Sequence, residues 1–212
     1  MIAKGLIKDV SDGYVTVIVP IDKEYIIDKQ EIVDCEVRFD DGRSISAEQR
    51  KKAYALVNDI ADWSGHPPEY LKEYFKFEYM SKVGCDYFSL SNCDMTTARE
   101  YITELIEFCF TNSVPTRDTL LNRTDDISKY LYLCVAYRKC AVCNAKADIH
   151  HVTGSRVGMG FDRNRINHTG RNVIALCRKH HQDAHVGERS FFEKYHLYGI
   201  TLDKYLIKKL GL

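Results

Sequence analysis

The sequence has no apolar run approaching the roughly 20 residues that cross a bilayer, no internal repeat and no low-complexity tract. Those absences exclude a helical membrane protein, a repeat solenoid and a wholly disordered chain. No apolar signal core follows Met1-Ile2-Ala3-Lys4, where charged residues appear instead, so the expected setting is cytoplasmic, with no membrane partner. Net charge is missing too, because 30 Lys+Arg balance 30 Asp+Glu. What remains is ordinary for a folded protein: 212 residues, 45% hydrophobic and 28% charged. That is enough for one large domain or two small ones, each with a buried core. In a reducing compartment the eight cysteines do not read as a disulfide framework; they are buried small hydrophobes or metal ligands, and spacing must decide.

The charge balance conceals an asymmetry. Residues 1 to 137 carry 16 Lys+Arg against 24 Asp+Glu, a net −8, whereas residues 138 to 212 carry 14 against 6, a net +8. A basic segment suits a polyanion such as nucleic acid, although the two halves could equally pair with each other.

Alternation of Val15, Val17 and Val19 with Thr16 and Ile18, after the turn Ser11-Asp12-Gly13, predicts a strand. Val33, Cys35, Val37 and Phe39 predict another, together making a small antiparallel sheet with one wet face. From Ser46 the period becomes helical. Ser46-Ala47-Glu48-Gln49 is a capping box, Ala53, Leu56, Val57 and Ile60 share one face, and Ser64-Gly65 ends the run. A second helix starts near Pro68 with Leu71, Tyr74 and Phe75 on its face, and a third spans about Met95 to Thr111 with Ala98, Ile102, Leu105, Ile106 and Cys109 inward. Residues 112 to 124 read as a connector, and Ile127 to Tyr137 as a docked helix that delivers the chain to Cys140. Cys35, Cys85, Cys93, Cys109 and Cys134 lack ligand spacing and read as packing residues. The paired acids Asp40-Asp41 and Asp125-Asp126 sit at turns and suit loop or cap roles.

Chemistry concentrates after residue 139, where seven of the eight histidines also lie. Cys140-Ala141-Val142-Cys143 and Cys177-Arg178-Lys179-His180 are two knuckles able to supply four donors to a tetrahedral structural zinc. Such a clip closes the intervening loop and leaves the segment unfolded without metal. Inside and beyond it lie Asp148-Ile149-His150-His151 and Asn172-Val173-Ile174-Ala175-Leu176, both strand-like, then a helix from Arg178 to Val186. The i, i+4 spacing of His181 and His185 puts both imidazoles on one face, where they can share an ion. Adjacent strand residues point to opposite sides, so of His150 and His151 one can bind metal while the other stays available as a base. His66 and His196 carry no assigned role, and His168, beside Asn167, is a candidate for hydrogen bonding to the loop.

Over about Cys140 to Val186 these residues resemble the HNH, or ββα-metal, endonucleases. The resemblance implies that His150, His181 and His185 hold a catalytic Mg²⁺ or Mn²⁺ (Zn²⁺ or Ni²⁺ in crystals), that His151 is the general base, and that Asn172 holds the loop or orients His151. Cys140, Cys143, Cys177 and His180 would hold structural Zn²⁺, with histidine where the family usually has cysteine; in an alternative register His181 takes that place. DNA is the implied partner, cut to 5′-phosphate and 3′-hydroxyl ends, with Arg156, Arg163, Arg165, Arg171, Arg178 and Lys179 gripping its backbone. More diffusely, residues 40 to 115 are similar to the Orf (NinB) phage recombination mediators through Arg43 to Lys51, Trp63-Ser64-Gly65 and the Met95-to-Val114 helix. That likeness implies binding of single-stranded DNA and of single-stranded-DNA-binding protein, as a homodimer, in the host cytoplasm of a phage. Arg43, Arg50, Lys51 and Lys52 would line a groove, and Trp63 or nearby tyrosines would stack bases or else pack in the core. The expected architecture is α+β: residues 1–124 as an Orf/NinB-like helical domain with a small sheet, and residues 125–212 as a zinc-stapled ββα nuclease module. The expected function is metal-dependent DNA cleavage in recombination or replication, the alternative a non-catalytic mediator whose zinc module only binds DNA.

Overall fold

A computed structural model of the chain describes residues 6–19, 42–155 and 168–212. The fold is α+β. Two strands open it, β1 (Leu6–Ser11) and β2 (Tyr14–Ile18), an antiparallel hairpin turning at Asp12-Gly13, both with positive φ. Among the described residues Leu6, Val10 and Tyr14 of this hairpin are exposed. The strand expected at Val33 to Phe39, with Cys35 and Asp40-Asp41, lies outside the described residues.

Three long helices follow: α1 (Ala47–Ser64), α2 (Pro68–Val83) and α3 (Met95–Asn112). Local signals set their ends. The Ser46 hydroxyl accepts from the Gln49 backbone N–H while the Gln49 side chain accepts from the Ser46 N–H, each at 3.0 Å, so the capping box is formed. Gly65, left-handed at φ 76°, ends α1, and Asp94 caps α3 by accepting from Thr97 at 2.8 Å. Ala53, Leu56, Val57 and Ile60 of α1 meet Ala98, Ile102, Leu105 and Ile106 of α3 in one core. Leu71 and Phe75 of α2 join it, but Tyr74 faces solvent, because its neighbour Phe75 already takes the inward position. The connector holds a short helix α4 (Leu120–Arg123), capped by no side chain and anchored by the buried Leu120.

Helix α5 (Ile127–Ala136) is the hinge between the two regions. Asp126 caps it, and Tyr130, Leu131, Cys134 and Val135 are buried between α3 and the second sheet. That sheet runs β3–β4–β5, antiparallel throughout: β3 (Asp148–His151), β4 (Asn172–Leu176) and β5 (Ile200–Thr201), with His150 opposite Ile174 and His151 opposite Val173. Val173 to Leu176 are buried on both faces, which makes β4 the spine of the C-terminal region. Helices α6 (Arg178–Val186), α7 (Glu188–Tyr195) and α8 (Lys204–Leu210) complete the chain. Among the described residues no helix is long and apolar enough to cross a membrane.

Candidate metal centres

The first knuckle is a tight turn built by backbone geometry. The Cys140 N–H donates to the Ala145 carbonyl at 2.7 Å, and the Asn144 N–H donates back to the Cys140 carbonyl at 2.9 Å. Asn144 adopts a left-handed φ of 60°, which asparagine tolerates. Its side chain docks the turn onto the helical region, accepting from the Leu120 N–H at 2.6 Å and donating to the Tyr130 hydroxyl at 2.7 Å. The second knuckle begins where β4 passes into α6, with Cys177 at the N-cap position and the His181 N–H donating to its carbonyl at 2.8 Å.

These turns bring Cys140, Cys143, Cys177 and His180 together, their donor atoms all within 4.8 Å of one another. The Cys143 and Cys177 sulfurs are 3.7 Å apart, and His180 Nδ1 lies 3.3 Å from both Cys140 Sγ and Cys177 Sγ. A tetrahedral zinc requires edges of about 3.8 Å between sulfurs and about 3.5 Å between sulfur and nitrogen. The donor set therefore fits that ion. His180 is braced from behind by the rings of Phe191 and Tyr195, at centroid distances of 6.2 and 5.8 Å. Burial pushes the Cys140 thiol up to about 12. At Cys177 burial also opposes ionisation, but the backbone N–H of His180 and the neighbouring thiols outweigh it and hold the thiol below its usual range. His180 sits below the ordinary imidazole range because burial disfavours its charged form, which keeps it neutral, as a metal ligand must be.

The second set is His150, His181 and His185, again with donor atoms within 4.8 Å. The one-turn spacing of α6 stacks His181 and His185 at 4.8 Å, and β3 presents the buried His150 ring to both, at 4.8 and 4.9 Å. Three imidazoles held so closely repel one another if protonated. Burial, followed by the nearby His150 and His185, holds His181 below its ordinary range. A trio of imidazole nitrogen donors gathered within 4.8 Å of one another is the chemistry of a divalent transition-metal or zinc site, and it fits one.

His151 points the other way from β3. It lies 6.0 Å from the ring of the buried His168, which the chain returns to the site just before β4. The structure thus separates the doubled histidines as strand alternation requires. Asn172 fixes the loop through its backbone: its N–H donates to Ser155 Oγ at 2.9 Å and its carbonyl accepts from Val152 at 3.0 Å. Among the described residues no hydrogen bond joins the Asn172 side chain to His151, and its buried Oδ1 has no hydrogen-bond partner. That oxygen lies against Gly199, where an added Cβ would come within 2.5 Å of it.

Both donor sets thus lie in one ββα unit. The family described as "Putative HNHc nuclease" matches residues 18–212. The chain belongs to that family. No curated protein and no solved structure matches it. The match takes in the helical region as well as the two donor sets. Of the expected backbone-gripping residues, Arg156, Arg163 and Arg165 lie outside the described residues. Arg171 donates to the Ser155 carbonyl at 2.9 Å, Arg178 is exposed 3.8 Å from Asp148, and Lys179 is exposed on the same turn. In the helical half, Arg50 donates to the Leu90 and Ser91 carbonyls and Lys52 to the Thr124 carbonyl, so two members of the expected basic cluster brace loops instead. Trp63 is half-exposed and packs edge-on against Phe108.

Glu188 was not singled out from sequence, yet its carboxylate accepts from His150 Nε2 at 2.9 Å and from the Thr153 N–H at 3.1 and 3.0 Å. Burial raises its pKa, but the bonds from Thr153 and His150 outweigh that and leave it below the usual range. The available signal was an acidic residue at the start of a helix, directly after the glycine that closes the His181/His185 helix.

Proposed function

We propose that this HNHc nuclease is a metal-dependent DNA endonuclease in which His151 is the general base and His150, His181 and His185 hold the catalytic ion. The observation that carries the reading is the division of the doubled histidines: His150 turns toward the α6 imidazoles and His151 away from them, toward His168. A divalent ion at the three imidazoles supplies Lewis-acid stabilisation of the charge that builds on the phosphoryl and leaving oxygens. His151 takes the proton from the attacking water, a step for which imidazole, with a reference pKa of about 6.5, is suited near neutrality. The Asn172 N–H bond to Ser155 Oγ ties the start of β4 to the residues just after β3, so that His151 stays in place. Arg178 and Lys179, exposed beside the second knuckle, bind phosphate without reading sequence. Cys140, Cys143, Cys177 and His180 hold a structural zinc that keeps β3 and α6 together.

The reading extends to the rest of the chain. The region up to residue 124 acts as the partner- or DNA-binding part of a recombination or replication nuclease, and the module from residue 125 cuts. What supports a contact role is the row of exposed rings, with His66 and Tyr70 at 5.6 Å and Tyr70 and Tyr74 stacked at 6.3 Å, a platform on which bases can stack.

A nicking assay on supercoiled plasmid with Mg²⁺ or Mn²⁺ tests the catalytic assignment. The native protein should nick, and His151→Ala should slow nicking by about 10²–10⁴-fold with zinc content and melting unchanged. No cleavage by the native chain, or equal cleavage by His151→Ala, would instead favour a DNA-binding protein without nuclease chemistry.

A further inference from the structure

The turn between α6 and α7 does more than end a helix. Helix α6 stops at Val186, the single residue Gly187 intervenes, and α7 starts at Glu188. The turn lets both helices reach His150. His181 and His185 approach it from α6, and Glu188 approaches from α7. The contact is well enclosed, the His150 side chain being 1% exposed and that of Glu188 12%. Glu188 is further held by the Thr153 N–H on both of its oxygens, which fixes the carboxylate against the loop that follows β3.

The chemistry of this pair determines the state of the ring. An ionised carboxylate only accepts hydrogen bonds, so the His150 nitrogen beside it, Nε2, must carry the proton. In a neutral imidazole the lone pair then resides on Nδ1. We propose that Glu188 is a positioning residue that selects the Nε2–H form of His150 and so presents Nδ1 to the catalytic ion. This rests on the assignment of His150, His181 and His185 to that ion. Carboxylate partners of this kind orient a ligating imidazole and raise its basicity. Helix α7 therefore backs both donor sets with one face, Glu188 against His150 and, three and seven residues on, Phe191 and Tyr195 against His180.

The test uses the full-length, zinc-retaining protein and Mn²⁺, a hard ion that competes poorly for thiolates. Two readouts are taken: Mn²⁺ affinity from the free-ion electron paramagnetic resonance signal, and the His150 tautomer from long-range ¹⁵N–¹H correlation at neutral pH without added Mn²⁺. The native protein should bind one Mn²⁺ at this site and show His150 as the Nε2–H form. Glu188→Gln should weaken Mn²⁺ binding by about 10–100-fold with zinc content unchanged. Native-like Mn²⁺ affinity in Glu188→Gln, or an Nδ1–H tautomer in the native protein, would overturn the role of Glu188 while leaving the ion's site intact. If the native protein binds no Mn²⁺, or His150→Ala binds it as tightly, the three-histidine assignment itself falls and this inference with it. The tautomer is read on the unaltered chain, so a substitution that loosened the Thr153 loop would not obscure the answer.

Discussion

The two regions on either side of α5 are held together by different physics. From α1 to α5 the chain is an apolar bundle: Leu56, Ile60, Ile102, Leu105 and Leu131 are wholly buried, and each such side chain contributes about 1.5–3 kcal/mol on burial. Among its buried polar groups, Gln49 donates to the Met95 carbonyl and to Asp125. The region after Cys140 joins the same core through β4 and through Leu197, Leu202, Leu206 and Leu210, but its two metal-facing helices bury little. Helix α6 buries only His180 and Ala184, and α7 buries only Phe191. Seven metal-donor side chains gather where β3, the first knuckle and α6 meet. The comparison teaches that α1 to α5 draw their cohesion from apolar burial, whereas β3 and α6 face each other through groups that can hold ions.

Removing the zinc is the strongest way to break the comparison. A structural zinc contributes about 10–16 kcal/mol of apparent binding energy in peptide systems. Cys143→Ser, or prolonged chelation, should take zinc from about one per chain to near zero and strip hydrogen-exchange protection from β3, β4 and α6. Amides of α1 and α3 should stay protected; equal loss in both regions would mean a single cooperative unit. Next in size, Leu56→Ala at the centre of the bundle should cost about 2–5 kcal/mol in denaturant unfolding with zinc content unchanged. Loss of zinc from that variant would show that the module leans on the bundle.

A finer probe lies in the module's own packing. Gly199→Ala would put a Cβ 2.5 Å from both Asn172 Oδ1 and Val152 Cγ2, an overpacking cost of about 1–3 kcal/mol. Because pushing the Asn172 side chain aside would disturb the backbone bonds by which Asn172 holds Ser155 and Val152 beside His151, nicking should fall by more than the melting shift alone accounts for; unchanged nicking would detach Asn172 from the site. The smallest effect is expected at the other end: Ser46→Ala removes the α1 cap and should cost about 1 kcal/mol, seen as a small midpoint shift with nicking and zinc intact.

The same contrast explains what could be read in advance. The ends of α1 were legible because Ser46, Gln49 and Gly65 act within a turn of where they sit. The donor residues were legible because knuckle spacing and an i, i+4 pair are local geometry. By contrast, α4 has four residues and no side-chain cap, and β5 has two residues whose strand character exists only through pairing with Asn172 and Val173. Tyr74 and Phe75 both suit an inward face, and only the position of α3 decides between them. Arg50 and Lys52 looked like a basic cluster until the loops at Leu90 and Thr124 supplied carbonyl acceptors.

Sequence alone determined the family's chemistry in this chain: which side chains can donate to metal, that His150 and His151 must face apart, and where the long helices begin. Those follow from spacing, and spacing is a property of one segment at a time. Only the tertiary structure decided that His180 rather than His181 joins the three sulfurs, that Gly199 lies against Asn172, and that Glu188 reaches His150. Each of these joins residues between three and 40 positions apart whose meeting depends on how β3, β4 and the α6–α7 hairpin pack, and packing is settled by the whole molecule at once.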